Sequence, residues 1–205
     1  MRNARPMENA VYVVTDIECD GPAPGPNSML AFASVAVTAA GEECGSFEAV
    51  LEPLPGAAVD PDTLAWFQTQ PEAWAAATLS PRPASEVMTE YAAWVESFSV
   101  GRIFAAFPLA FDGIWIDHYL RRFTPFGLVA GHYETTPLFD GAGLCLKSYA
   151  AAIMGREPWQ CTPQDLPQSW FGGHQHTHRA IDDARGYAHM VGVLMRHQRN
   201  SAPSP

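Results

Sequence analysis

The stretch "VYVVTDIECDG", residues 11–21, is the strongest indication of the fold that we expect for this chain of 205 residues. Its first four residues are apolar and mostly β-branched, which is typical of a strand buried in the centre of a sheet. Glycines and prolines follow in "GPAPGP" and end the strand. Asp16 and Glu18 lie two residues apart near its end, so the alternation of side chains along a strand puts both on one face of the sheet.

Two neighbouring carboxylates on a buried strand repel each other, and burying them together is costly unless a cation compensates. A divalent metal ion, which prefers oxygen ligands, is a compact cation for this purpose. Asp16 could instead cap the turn that follows while Glu18 is solvated. These two residues alone leave both interpretations open.

Hydrophobic patterns outside this strand predict the other elements. Strands are expected at 29–37, 45–53 and 102–107, with a further short strand at "PLFD", residues 137–140. Helices are expected at 61–70, 71–78, 84–98, 112–123 and 144–155, followed by a last helix from about Arg179 to about Arg196. The order β-β-β-α-β-α-β-α-α predicts the α/β class, with a mixed five-stranded sheet flanked by helices.

The length fits one domain with one core. Residues 1–9 and 199–205 are polar or proline-rich without periodicity, so we expect flexible termini around a single domain at 10–198. No apolar run approaches the roughly 18 to 20 residues that cross a bilayer, and the first ten residues lack the apolar core of a secretory signal. We therefore expect a cytoplasmic protein with no membrane contact, whose four scattered cysteines are reduced thiols.

The formal net charge of −10 argues against a protein that coats nucleic acid through a broad basic surface. Binding of that kind depends on many lysines and arginines that neutralise phosphates. Any nucleic-acid chemistry must therefore be local, with positive charge from bound metal ions or from a few placed arginines.

A third acid, Asp112, follows the strand expected at 102–107 and opens a helix in "LAFDGIWIDHYL". An aspartate in this position is often an ordinary helix N-cap, and that interpretation competes with a role in a site.

The stretch "GGHQHTHRAIDDARGYAHM", residues 172–190, carries the histidines His174, His176 and His178 at alternating positions. Such a run could hold zinc, but it contains no residues that favour a strand, and no cysteine pair or later histidine cluster completes the ligand set. His178 differs from the other two because it adjoins the last helix, whose first turn carries Asp182 and Asp183. Helical spacing alone favours Asp182 as its neighbour and does not select Asp183.

Taken in order, these three pieces resemble the DEDDh branch of the DnaQ-like 3′-to-5′ exonuclease family over about residues 11–195. The matching features are D-x-E on the first strand, "FD" at the start of a helix in mid-chain, and H-x-x-x-x-D leading into the last helix in "HRAIDDA". The resemblance implies a ribonuclease H-like fold. It makes Asp16, Glu18, Asp112 and Asp183 ligands of two Mg²⁺ or Mn²⁺ ions, and His178 the general base.

Two departures accompany the resemblance. Phe107 and Pro108 stand where many relatives have a polar pair ahead of the second aspartate, which bears on substrate positioning. The turn "CDGPAPGP" replaces a Thr-Gly pair and an apolar wedge, which bears on contacts with the terminal base.

The expected activity is hydrolysis of phosphodiesters by two metal ions, releasing nucleoside monophosphates from single-stranded RNA or DNA 3′ ends. The alternatives are a phosphodiesterase for dinucleotides or very short oligonucleotides and a non-catalytic nuclease-like interaction module. A homodimer is a further possibility. The choice between RNA and DNA and the roles of His174 and His176 stay open at this point.

Overall fold

The computed structural model describes residues 5–129 and 137–201, and its centre is a mixed sheet of five strands. The strands are β1 (Val11–Cys19), β2 (Met29–Thr38), β3 (Glu43–Val50), β4 (Arg102–Ala106) and β5 (Leu144–Cys145). Their order in the sheet is β3-β2-β1-β4-β5. Since β2 is antiparallel to β1 whereas β4 is parallel to it, the predicted mixed sheet is confirmed.

Six α-helices surround the sheet in the described part of the chain. They are α1 (Pro61–Gln68), α2 (Pro71–Thr78), α3 (Ala84–Glu96), α4 (Leu109–Phe123), α5 (Leu146–Met154) and α6 (Ala180–Ser201). Asp60 caps α1 by accepting the backbone N–H of Thr63, and Gly155 ends α5 in a left-handed conformation, as its position in the sequence predicts. The segment between α5 and α6 contains three short 3₁₀ turns.

The two faces of the sheet bury separate cores. Val13 and Ile17 of β1 pack with α3 and α4 on one face, whereas Val14 packs with α5 and α6 on the other. Alternation along β1 therefore puts Asp16 and Glu18 on the face that α6 covers. The stripe predicted for α6, which includes Ala184, Tyr187 and Val191, is buried there.

The prediction of a strand at residues 137–140 is wrong. Asp140 is tied to Arg102 by a backbone hydrogen bond, and its carboxylate also accepts the backbone N–H of Arg102 and the Nε of Arg5, so a strand ladder does not form. The fifth strand is Leu144–Cys145, which pairs in parallel with the end of β4. Its two residues were expected to start a helix because they are apolar and continue directly into α5.

Helix boundaries differ most from expectation at two places. Helix α4 begins at Leu109, so Asp112 lies within its first turn rather than at its start. Helix α6 continues beyond Arg196 to Ser201. Residues 1–4 and 202–205, half of the two expected flexible ends, lie outside the described residues.

None of the described helices is both long enough and apolar enough to cross a bilayer. Cys19, Cys44, Cys145 and Cys161 are all free thiols.

Candidate active site

Asp16 and Glu18 are positioned by β1, the strand that hydrogen-bonds to both β2 and β4. Their partners across the β1–β2 pair are Ala33 and Ala31, whose small side chains leave the space above the sheet to the two carboxylates. Asp183 reaches the same place from α6, and one carboxylate oxygen from each of the three acids lies within 4.8 Å of the other two. Strand and helix thus bring three of the expected metal ligands together.

Asp112 approaches from the first turn of α4, which begins directly after β4. It is buried, and its Oδ2 has no hydrogen-bond partner. Burial raises its pKa to about 7, although the backbone amides of Asp112 and Ile17 oppose the shift. A buried carboxylate oxygen without a partner is a group that a cation would satisfy.

Asp183 and Asp182 are adjacent in sequence but have different surroundings. Asp183 has a buried side chain whose Oδ1 accepts the backbone N–H of Thr177 at 3.0 Å, while its Oδ2 lies 2.8 Å from the Nδ1 of His176. Asp182 is half-buried and accepts the hydroxyl of Thr177 instead. The structure thus places Asp183, and not Asp182, beside the acids of β1.

The acids raise one another's pKa values. Burial raises the pKa of Asp16 well above its ordinary value, and Asp112, Glu18 and Asp183 raise it further. Burial likewise raises the pKa of Glu18, with Asp183 and Asp112 adding to the effect. Within the described part of the chain, no ion pair joins Asp16, Glu18 or Asp112 to a basic side chain. An all-oxygen donor set of this kind fits divalent ions such as Mg²⁺ or Mn²⁺.

The loop before α6, residues 172–179, is called the histidine segment below. Gly172 and Gly173 start it in left-handed conformations, and His178 also has a positive φ of 57°, which is unusual for a residue with a side chain. The His178 ring meets the edge of Trp66 at 5.0 Å and that of His176 at 4.4 Å between centroids. A ring contact from the distant helix α1 and one from the same segment therefore hold His178 beside the acids.

His178 is suited to accept a proton. Burial lowers its pKa, and the neighbouring His176 lowers it further, whereas Asp183 acts in the opposite direction. A neutral imidazole results at physiological pH, and this is the form that works as a general base.

All five expected site residues line one cavity of about 280 Å³. Its wall also contains residues whose role the sequence patterns did not indicate. Lys147 comes from the first turn of α5, and Tyr187 comes from α6, where its ring stacks on Phe107 with centroids 4.9 Å apart. Phe107, one of the two departures from the family pattern, thus forms part of the cavity wall. A second groove adjoins the cavity through Glu18 and Phe111 and contains Trp66.

Neither a protein-family model nor a curated protein sequence matches this chain. Solved structures match it in fold. The nuclease domain of 3′hExo, a DEDDh family member bound to rAMP, has a TM-score of 0.64 at 9% identity, covering 96% of this chain and 95% of that chain. E. coli exonuclease I in complex with a dT13 oligonucleotide has a TM-score of 0.66 at 14% identity, covering 93% and 42%.

The zinc-bound form of an E. coli exonuclease I complex with single-stranded DNA has a TM-score of 0.57 at 15% identity, covering 93% of this chain and 41% of that chain. This chain therefore spans less than half of exonuclease I. It has the ribonuclease H-like fold of the DEDDh 3′-exonuclease domains, as the sequence resemblance implied.

Proposed function

We propose that this protein is a metal-dependent 3′-to-5′ exonuclease that releases nucleoside monophosphates from single-stranded RNA or DNA. The observation that carries the proposal is the convergence of Asp16, Glu18, Asp112 and Asp183 in one cavity with His178 beside them. Asp16, Glu18 and Asp112 form no ion pair with a basic side chain in the described part of the chain, and such a cluster of acids favours metal binding. The likeness in fold to DEDDh exonucleases supports phosphodiester hydrolysis as the reaction.

The four carboxylates would hold two divalent ions. When bound, such a pair activates water and stabilises the negative charge that develops on the phosphate and the leaving oxygen. His178 takes the proton of the attacking water on a ring nitrogen. The contacts of His178 with Trp66 and His176 hold its ring at the wall of the cavity.

The surroundings of the acids favour a substrate held only by its last nucleotides. Lys147 lines the cavity and can offer one positive charge to a phosphate. The stacked pair Phe107 and Tyr187 forms the wall of the cavity on the α6 side. The overall charge of −10 disfavours contact with a long backbone. Two of the similar structures are bound to rAMP and to the oligonucleotide dT13, which is consistent with a short, single-stranded substrate for this protein.

The test is a time course of cleavage over strands of increasing length, from dinucleotides to about 20 nucleotides, as 5′-labelled RNA and DNA of equal sequence. Mn²⁺, Mg²⁺ and EDTA are compared for the wild type and Asp16→Asn, with the fold of the variant checked by circular dichroism. We expect metal-dependent cleavage that EDTA and Asp16→Asn abolish. Activity on dinucleotides alone would support the alternative of a phosphodiesterase for very short substrates. If no strand is hydrolysed, an enzymatic function is contradicted and the non-catalytic interaction module is the interpretation that stands.

Two further predictions accompany this function. A cytoplasmic location is also proposed, and fractionation of cells that express the protein checks it. The homodimer is checked by light scattering of the purified protein.

A further inference from the structure

His176 is not among the five residues of the proposed nuclease site, yet it lies against that site. Its Nδ1 is 2.8 Å from Asp183 Oδ2, and its ring lies 4.4 Å from that of His178. Ligand atoms of His176, His178 and Asp183 all fall within 4.8 Å of one another. His174, the third histidine of the segment, is exposed and lies outside this group.

The three atoms have the chemistry and spacing of a transition-metal site. Two imidazole nitrogens and one carboxylate oxygen are softer donors than an all-carboxylate set, and they favour Zn²⁺, Co²⁺ or Ni²⁺ over Mg²⁺. Ligand bonds of about 2.0–2.2 Å in a tetrahedral site separate the ligand atoms by roughly 3.3 Å. The observed separations, from 2.8 Å to at most 4.8 Å, bracket that value, so small side-chain movements suffice to seat an ion.

We propose that His176, His178 and Asp183 form a second metal site, selective for Zn²⁺ and similar transition-metal ions, that overlaps the nuclease centre and inhibits it when filled. The site shares Asp183 with the acids of β1 and uses the ring of His178. An ion bound there removes the lone pair that accepts a proton and draws Asp183 away from Asp16 and Glu18. The inhibitory effect rests on the proposed nuclease function, whereas the metal site itself does not.

The histidine segment supports this arrangement by its backbone. His178 has a positive φ of 57°, and its ring lies beside that of His176 and near Asp183. The site stays open to solvent on the His176 side, where about 31% of that side chain is exposed, so an ion can enter without opening the core.

The deciding experiment measures metal binding without any nucleic acid. Co²⁺ is titrated into the wild type, His176→Gln and His174→Gln, and the visible absorption of nitrogen-ligated Co²⁺ is followed, with Zn²⁺ then added to displace it. Glutamine keeps a polar N–H group at this position but lacks a ring nitrogen that can bind a metal ion. We expect His176→Gln to bind Co²⁺ at least about tenfold more weakly than the wild type, and His174→Gln to bind it equally well. Equal affinity of the wild type and His176→Gln would overturn the site.

A second measurement tests the inhibitory role. Cleavage supported by Mg²⁺ is measured against rising Zn²⁺ in the wild type and His174→Gln, and we expect the same Zn²⁺ sensitivity in both. His176→Gln should need at least about tenfold more Zn²⁺ for the same fractional inhibition. Inhibition at equal Zn²⁺ in all three proteins would refute regulation through His176. A protein that binds Co²⁺ through His176 but cleaves nothing would refute the nuclease and its inhibition, and leave the metal site standing.

Discussion

The two walls of the cavity are built in different ways. Asp16, Glu18 and Asp112 are fixed by the central strand β1 and by a helix that starts directly after β4, so regular hydrogen bonding sets their positions. The opposite wall is the histidine segment, an irregular loop whose His178 is held by ring contacts with Trp66 and His176. The acids therefore depend on the sheet, whereas the histidine depends on contacts between distant parts of the chain.

This difference separates two kinds of function in one site. A rigid set of carboxylates suits the binding of metal ions, because their geometry is then prepared before binding. A histidine on a loop can be moved by a small change in its neighbours, so the rate of cleavage and the choice of metal should be tuned on that side. Substitutions in each wall test this difference separately.

Asp183 joins the two walls, and its loss should be the most damaging single change. Asp183→Asn should lower the cleavage rate by about 10³-fold, because one carboxylate is removed from the ions that stabilise the transition state. Asp182→Asn is the matched control, since Asp182 bonds to Thr177 away from the acids of β1, and it should stay within a few-fold of the wild type. Rates under single-turnover conditions check this. Equal losses in both variants would contradict the assignment of Asp183.

Replacing His178 should lower the cleavage rate and leave metal binding by the carboxylates almost unchanged. His178→Gln should lower the cleavage rate by about 10²-fold, because a general base typically contributes this much. His174→Gln, an exposed change in the same segment, should have little effect. The affinity for Mn²⁺ is measured by calorimetry in buffer without Mg²⁺. It should fall far less in His178→Gln than in Asp183→Asn. Full activity of His178→Gln would show that another group takes the proton.

Trp66 tests whether distant contacts position His178. Trp66→Ala removes the ring that meets His178 at 5.0 Å, and it should slow cleavage by roughly tenfold while the fold is retained, since Trp66 is 40% exposed. Trp66→Phe should recover much of the lost rate because it restores a ring. The pH dependence of the rate separates positioning from packing: a freed His178 should titrate nearer to its ordinary pKa. An alanine variant with unchanged rate and pH profile would argue against the contact.

The buried acids should make the thermal stability of the metal-free protein depend on pH. Folding raises the pKa of Asp112 to about 7, so the native state holds a proton that the unfolded state releases at lower pH. The stabilisation is complete below pH 4 and is lost as the pH rises towards 7. In EDTA, the Tm should therefore fall by roughly 5 °C between pH 4.5 and pH 7.5. Asp112→Asn should flatten the slope, and Mn²⁺ should reverse it; a slope that Asp112→Asn leaves intact would contradict this origin.

The fold could be predicted from the sequence where hydrophobic periodicity is strong. Helix α2 and the start of β2 were placed correctly because prolines and apolar runs mark them. The two-residue strand β5 could not be recognised, because its apolar residues are continuous with the helix that follows. A ladder of two residues forms only because β4 offers it an edge, which is a tertiary effect.

The acids could be anticipated, and the partners of the histidine could not. The spacing of two puts Asp16 and Glu18 on one face, but helical spacing favours Asp182 over Asp183. That rule fails because His178 lies outside α6 in a left-handed conformation. Lys147 and Trp66 meet the site only through the packing of α5 and α1, which no local pattern records.

The most direct test of the central claim compares two strands that differ only at the 3′ end. One 5′-labelled strand carries a free 3′-hydroxyl and the other an inverted terminal nucleotide, and both are incubated with the wild type and Mn²⁺. If the protein is a 3′-to-5′ exonuclease, the strand with the free 3′-hydroxyl is shortened stepwise from its 3′ end and nucleoside monophosphates are released. The blocked strand is then degraded much more slowly. Cuts at internal positions with equal rates in both strands, or no cleavage of either, would contradict the claim.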